Sequence, residues 1–388
     1  MNNLSERRYD IDWLRVMAVL LLIPYHTAVI FTRPYVAYIK TEPHAATEVF
    51  AYFMNQWHMA LLFLVSGVGA WYSLETRTGS RFGAERVRRL VIPLIFGTLA
   101  IVPVQVYFQR LYYHEFSGSF LRFYPHFFDG IYPHGNFTWG QLWFLAYLFV
   151  FSLLLLPVFL YLKTENGRTF LNRASGFFGR RGAIFAAALP FMLAQAVFRA
   201  KWPGFQNLYN DWANFAFYII AFFYGYVLVS APGFSQAIKK NRHLALVLGT
   251  VTMALILGLH QSRMAPPPDY SGTWLLYMLL HGFGSWCILV AILGFAQNYL
   301  SFNNALLGYA NEAVLPFYVL HHAAIVSIAY FVVGSAGLLT EFVAIAVSAM
   351  ILAVVIYDVL VKRLAALRLL FGMRPKPGTL QPELAKEQ

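Results

Sequence analysis

The segment "RYDIDWLRVMAVLLLIPYHTAVIF", residues 8–31, carries Asp12 and Arg15 at its entrance and His26 deep in an otherwise apolar run. On a helix, at about 100° and 1.5 Å per residue, Arg15 and His26 fall within roughly 20° of one face and about 16 Å apart along the axis. Asp12 lies near the same face. Such a stripe is costly against lipid, so it must face the protein interior or a water-filled cavity. Imidazole, with an ordinary pKa of about 6.5, suits removal of a proton from a hydroxyl near neutral pH, which makes His26 a candidate general base. The plainer reading is an interior histidine bonded to a neighbouring helix, with Asp12 and Arg15 as an interfacial ion pair.

A second constellation is "RFGAERVRRLVIP", residues 81–93. Arg86 and Arg89, three apart, share a helix face, and two guanidinium forks at that spacing can hold phosphates bidentately. Arg81, Glu85 and Arg88 form a solvated, salt-bridged face. Simple anchoring at the cytoplasmic surface is the alternative reading of the cluster.

Other polar residues inside apolar runs extend the candidate set. Asn55 and His58 in "NQWHMALLF", with Gln56 between them, line a cavity or bond within the interior, and Ser66 of "FLVSG" joins the cavity candidates. His321 and His322 are adjacent and point about 100° apart, so at most one readily faces a given site, with His321 favoured. Glu312 in "GYANEAV" orients a buried base or caps its helix. Trp143 stacks on a sugar ring or belongs to an interfacial tryptophan belt. His114, His126 and His134 are too widely spaced for a metal motif, and no Cys or carboxylate cluster accompanies them, so no metal is expected.

These residues need elements that hold them in lipid. Of the 388 residues 59% are hydrophobic and 12% charged, which points to a bilayer rather than water as solvent. The net charge of +12 is spread in short clusters between apolar runs, as topology requires, so nucleic-acid binding is not expected. Cys287, the single cysteine, sits in an apolar segment and packs as a small hydrophobe. Ten runs, near 12–31, 52–74, 90–107, 141–162, 182–198, 212–230, 244–260, 273–296, 314–333 and 338–360, are long enough to cross as helices. The fold class is therefore an all-α polytopic membrane protein with about ten transmembrane helices, residues 1–360, and a basic tail, 361–388.

Most Lys and Arg fall in the N-terminal segment and in 75–89, 163–181, 231–243 and the tail, which expects both termini in the cytoplasm. The first helix has acidic residues before its core and no small-residue cleavage site, so it is expected to stay. Residues 108–139 make a long extracytoplasmic segment dense in Tyr, Phe, His and Gly, too aromatic for disorder. The tail reads as a basic helix along the cytoplasmic leaflet ahead of a disordered end. A proton-coupled carrier also keeps His and Arg in the membrane, but the halves show no internal repeat of the kind such carriers use.

In order along the chain come Arg15, ten residues and His26; "FLVSG" at 63–67; the Arg86–Arg89 pair before Pro93; "LWFL" at 142–145; and "YVLHH" at 318–322. This set resembles the integral-membrane acyltransferase family 3, and "YDIDWLR" with "IPYH" resembles its glucan-biosynthesis (glucan succinyltransferase) branch. The resemblance implies an inner-membrane enzyme that takes an acetyl or succinyl group from cytoplasmic acyl-coenzyme A and delivers it to a hydroxyl of an extracytoplasmic carbohydrate such as a periplasmic glucan. It implies His26 as the catalytic histidine, Arg15 as its partner, and Arg86 and Arg89 near the donor, with no permanently bound cofactor. Direct transfer is the simplest route; an acyl-imidazole intermediate on His26 is the alternative.

Overall fold

The computed structural model describes residues 7–33 and 37–374. All ten apolar runs lie in helical structure, and the bridge between Ile131 and Phe137 is an isolated one. The first run is α1 (Tyr9–Leu20) and α2 (Leu22–Ile30), broken at Leu21 because Pro24 has no N–H to offer the carbonyl of Leu20. Then come α3 (Ala45–Thr76), α4 (Gly79–Arg86), a π-helical turn over Val87–Val91, α5 (Ile92–Ala100) and α6 (Val102–Tyr112). Pro103 frees the carbonyl of Leu99, which accepts instead from the Tyr124 hydroxyl at 3.1 Å.

Beyond α7 (Phe120–Phe123), α8 (Trp143–Leu154) and α9 (Leu156–Leu162) are bent by 49° beside Pro157. α10 (Glu165–Phe178) and the run ending in α11 (Leu189–Phe198) turn by 117°. The remaining helices are α12 (Trp212–Leu228), α13 (Pro232–Gln261), α14 (Gly272–Tyr299), α15 (Ala305–Val332), α16 (Leu338–Ile356) and α17 (Ala365–Leu370). α10 falls in the connection 163–181, which carries no apolar run of its own. It starts on Thr164, whose hydroxyl accepts from the Gly167 N–H at 3.2 Å.

Among the described residues seven runs are long and apolar enough to span a bilayer, or up to nine if each bent pair is one span, fewer than the ten expected. The difference lies in the bends and in α12, whose 17 residues reach only about 25 Å against about 30 Å of hydrocarbon. The chain is an all-helical integral membrane protein.

Two compact units divide it. One comprises the residues up to Ala18 with Val49–Gly83 and Val150–Gly308; the other comprises Val19–Glu48, Ala84–Phe149 and the chain from Tyr309 onward. The first unit packs on aromatic stacks, with Phe159 over Tyr226 at 3.9 Å and Phe191 over Trp286 at 5.7 Å, and it buries Cys287. In the second unit the aromatic segment after Tyr112 is ordered. Arg110 pins it, donating to Asn136 Oδ1 at 2.7 Å and to the Gly135 carbonyl at 3.0 Å.

The tail departs from the expected surface helix. Arg368, only 6% exposed, donates to Glu312 at 2.9 Å and to the Arg374 carbonyl at 2.8 Å, and Phe371 and Met373 are buried. A guanidinium with acceptors at hand can be buried, so residues 361–374 pack into the second unit. The expected disordered end, 375–388, lies outside the described residues.

Candidate active site

Within the second unit, α2 and α15 gather three imidazoles. The His26 ring lies 4.3 Å from that of His322 and 5.3 Å from that of His321, centroid to centroid. A 100° step between neighbours expects one of the two α15 rings to turn away; instead both flank His26, because the two rings straddle it at 6.0 Å from each other. His321 is fully buried, whereas His26 and His322 keep partial access. His321 Nδ1 lies 2.6 Å from the Tyr318 carbonyl, a bond that puts the proton of the neutral ring on Nδ1 and leaves the lone pair on Nε2. His322 Nδ1 is buried with no hydrogen-bond partner.

Two connections bring phenols to this cluster. Tyr38, from the α2–α3 connection, sits 5.3 Å from His322, and Tyr132, from the aromatic segment, sits 5.9 Å from Tyr38. Gln109 donates to the Tyr132 hydroxyl at 3.3 Å. Burial pushes the Tyr38 phenol up from its ordinary range, which keeps it a hydrogen-bond donor. Its hydroxyl lies 3.0 Å from where a β-carbon on Gly140 would stand, and Gly140 has φ +49°. A side chain there would be both strained and crowded, so glycine suits the turn into α8.

Glutamines beside this cluster lock α6, the turn before α8 and α15 together. Gln105 donates to Gln141 Oε1 at 2.9 Å, Gln141 donates to the Val319 carbonyl at 3.0 Å, and Tyr318 donates to the Gln141 carbonyl. Bonds of this kind hold helices in lipid where apolar contact cannot discriminate partners. A base with a lone pair, a neighbouring imidazole and a protonated phenol can together remove a proton and stabilise a developing negative charge. Among the described residues no group of three or more His, Cys, Asp or Glu is arranged to hold a metal ion.

The other nominated residues divide between the units. In the second, Arg86 precedes the π-helical turn and Arg89 lies within it, and both are less exposed than Arg81 and Arg88. Glu85 pairs with Arg89 at 3.8 Å, four residues on along the same face. Glu312 bonds Arg368 and does not cap α15, whose start is capped by Asn304 accepting from Leu307 N at 2.8 Å. Trp143 is 7% exposed and packs edge-on to Tyr147 at 5.2 Å.

In the first unit, Asp12 accepts from Arg15 at 3.0 Å and from Arg7 at 2.9 Å. His58 is 2% exposed, with Nε2 2.6 Å from the Ala18 carbonyl, the interior bond that was one of its two readings. Asn55 faces outward, and Ser66 back-bonds to the Leu62 carbonyl at 2.8 Å. Tyr38, Tyr132, Gln105, Gln109 and Gln141 were not nominated. Gln105 and Gln109, one turn apart in an apolar run, are the pair whose polarity inside a span was the available signal.

The chain is an all-helical membrane protein with a polar cluster of imidazoles and phenols in one of its two units. Residues 8–358 match the type 3 acyltransferase domain family, and the chain belongs to that family of membrane acyltransferases. Neither a curated protein nor a solved structure matches it.

Proposed function

We propose that the protein transfers an acyl group from cytoplasmic acyl-coenzyme A to a hydroxyl of an extracytoplasmic carbohydrate, with both termini in the cytoplasm of a bacterial inner membrane. The observation that carries this reading is the cluster of His26, His321 and His322 with Tyr38 in a membrane protein of this family. His26 takes the proton of the acceptor hydroxyl as its oxygen bonds to the thioester carbon. The Tyr38 O–H donates to the resulting oxyanion. Collapse breaks the carbon–sulfur bond, and the leaving thiolate takes the proton from His26. Fully buried His321 positions the His26 ring, and His322, partly accessible, borders the reacting groups.

Arg86 and Arg89 hold the phosphates of the donor, whose charge keeps its nucleotide out of lipid. The finer reading, succinyl transfer to a periplasmic glucan, rests on the resemblance of "YDIDWLR" and "IPYH". Inverted membrane vesicles given labelled acyl-coenzyme A and candidate glycans test the proposal. Native protein is expected to label the glycan, and His26→Ala to lose roughly 100-fold or more of that rate. Undiminished labelling by His26→Ala contradicts the base assignment.

A further inference from the structure

Asn311 is the residue in α15 whose side chain has both its nitrogen and its oxygen buried without a hydrogen-bond partner. An amide carries two donors and an acceptor with two lone pairs, and leaving all of them unmade inside a membrane helix is costly. The next residue, Glu312, is engaged by Arg368, so the opening is particular to Asn311.

Its position relates it to both ends of the proposed site. Asn311 and His322 are eleven residues apart on α15, with Pro316 between them, a spacing of three turns that puts them near one face and roughly 16 Å apart. Two contacts fix the register of α15 against α5. A β-carbon at Gly97 would meet Val319 at 3.3 Å, and one at Gly372 would meet Pro93 at 2.8 Å and Leu315 at 2.9 Å. Residues 97 and 93 thus run level with 319 and 315. The Arg89 carbonyl would lie 2.9 Å from that same Gly372 β-carbon, so the Arg89 backbone stands near Leu315, one turn of α15 from Asn311.

A donor whose phosphates sit at Arg86 and Arg89 and whose carbonyl reaches His26 must lay a chain along this face. The pantetheine arm spans roughly 16 Å when extended, given bond lengths near 1.5 Å. It carries two secondary amides, each offering one N–H and one carbonyl, the complement of what Asn311 leaves open. A lipid chain has neither group. We infer that Asn311 binds an amide of the donor's pantetheine arm and so selects an amide-bearing thioester over an apolar one. This rests on the acyl-coenzyme A reading of the site.

Full-length protein in lipid nanodiscs, titrated calorimetrically with coenzyme A and with adenosine 3′,5′-bisphosphate, which lacks the arm, tests the inference. Asn311→Leu, close in volume but apolar, is expected to weaken coenzyme A about tenfold while bisphosphate binding stays the same. The ligand-free variant should melt no lower than the native protein, since it removes unsatisfied buried groups. Asn311→Gln, which keeps the amide, should recover part of the affinity. Unchanged coenzyme A affinity in Asn311→Leu, equal weakening of both ligands, or a lower melting temperature without ligand would each overturn the assignment. If native protein binds no coenzyme A, the donor reading itself fails and the inference falls with it; native binding with an indifferent Asn311→Leu removes the inference alone.

Discussion

Each unit holds a polar cluster inside apolar helices, and the two differ in how their bonds are spent. In the first unit His281 Nδ1 meets Gln56 Oε1 at 2.6 Å and its Nε2 faces the Tyr52 hydroxyl at 3.5 Å, while Tyr52 and Tyr277 share a bond at 2.9 Å. Ser285 donates to the Gln56 carbonyl at 2.7 Å, and Gln56 Nε2 returns to the Tyr52 carbonyl at 3.2 Å. Both ring nitrogens of His281 and both polar ends of Gln56 are satisfied, so this network ties α3 to α14 and leaves them little to offer a ligand. In the second unit His322 Nδ1, Thr27 Oγ1 and the side-chain oxygens of Gln105 and Gln109 are buried with no partner. Burial with every bond made is helix glue; burial with bonds unmade is tolerated where a substrate completes them.

Three substitutions probe that contrast. Tyr38→Phe removes a donor from the open cluster and should cost about 100-fold in acyl transfer with little change in melting temperature, as loss of an oxyanion donor does. A fall in melting temperature that accounts for the lost rate would move Tyr38 into the structural class. His281→Leu leaves Gln56 Oε1 and the Tyr52 hydroxyl short of a partner and should destabilise the protein by about 1–2 kcal/mol in thermal unfolding. An unaltered melting curve with lost turnover would erase the distinction between the clusters. Gly140→Ala forces a β-carbon into positive φ and against Tyr38, and should cost about 1 kcal/mol together with a smaller drop in rate. A stability loss without any drop in rate would separate the Gly140 turn from the reacting groups.

The helices were legible because apolar length is a local property. What the chain order hid was long-range. Tyr38 and Tyr132 lie in connections, where no periodicity marks a residue, and they reach the imidazoles only through folding. His322 was discounted on an ideal 100° step between single side chains, but a third ring placed between two neighbours touches both. The burial of Arg368 has no local sign, because its acceptors, Glu312 and the Arg374 carbonyl, are brought to it by the turn after α16. Conversely, residue type alone left His58 between a cavity lining and an interior bond. Its bond to the Ala18 carbonyl, a backbone group forty residues away, carries no sequence signal.

The most direct measurement is acyl transfer per folded molecule in vesicles, compared between His26→Ala and His281→Ala. Loss of turnover in the first with turnover retained in the second, despite a lower melting temperature, is the expected result. Retained turnover in His26→Ala, or equal loss in both, would contradict the assignment of the reaction to the second unit.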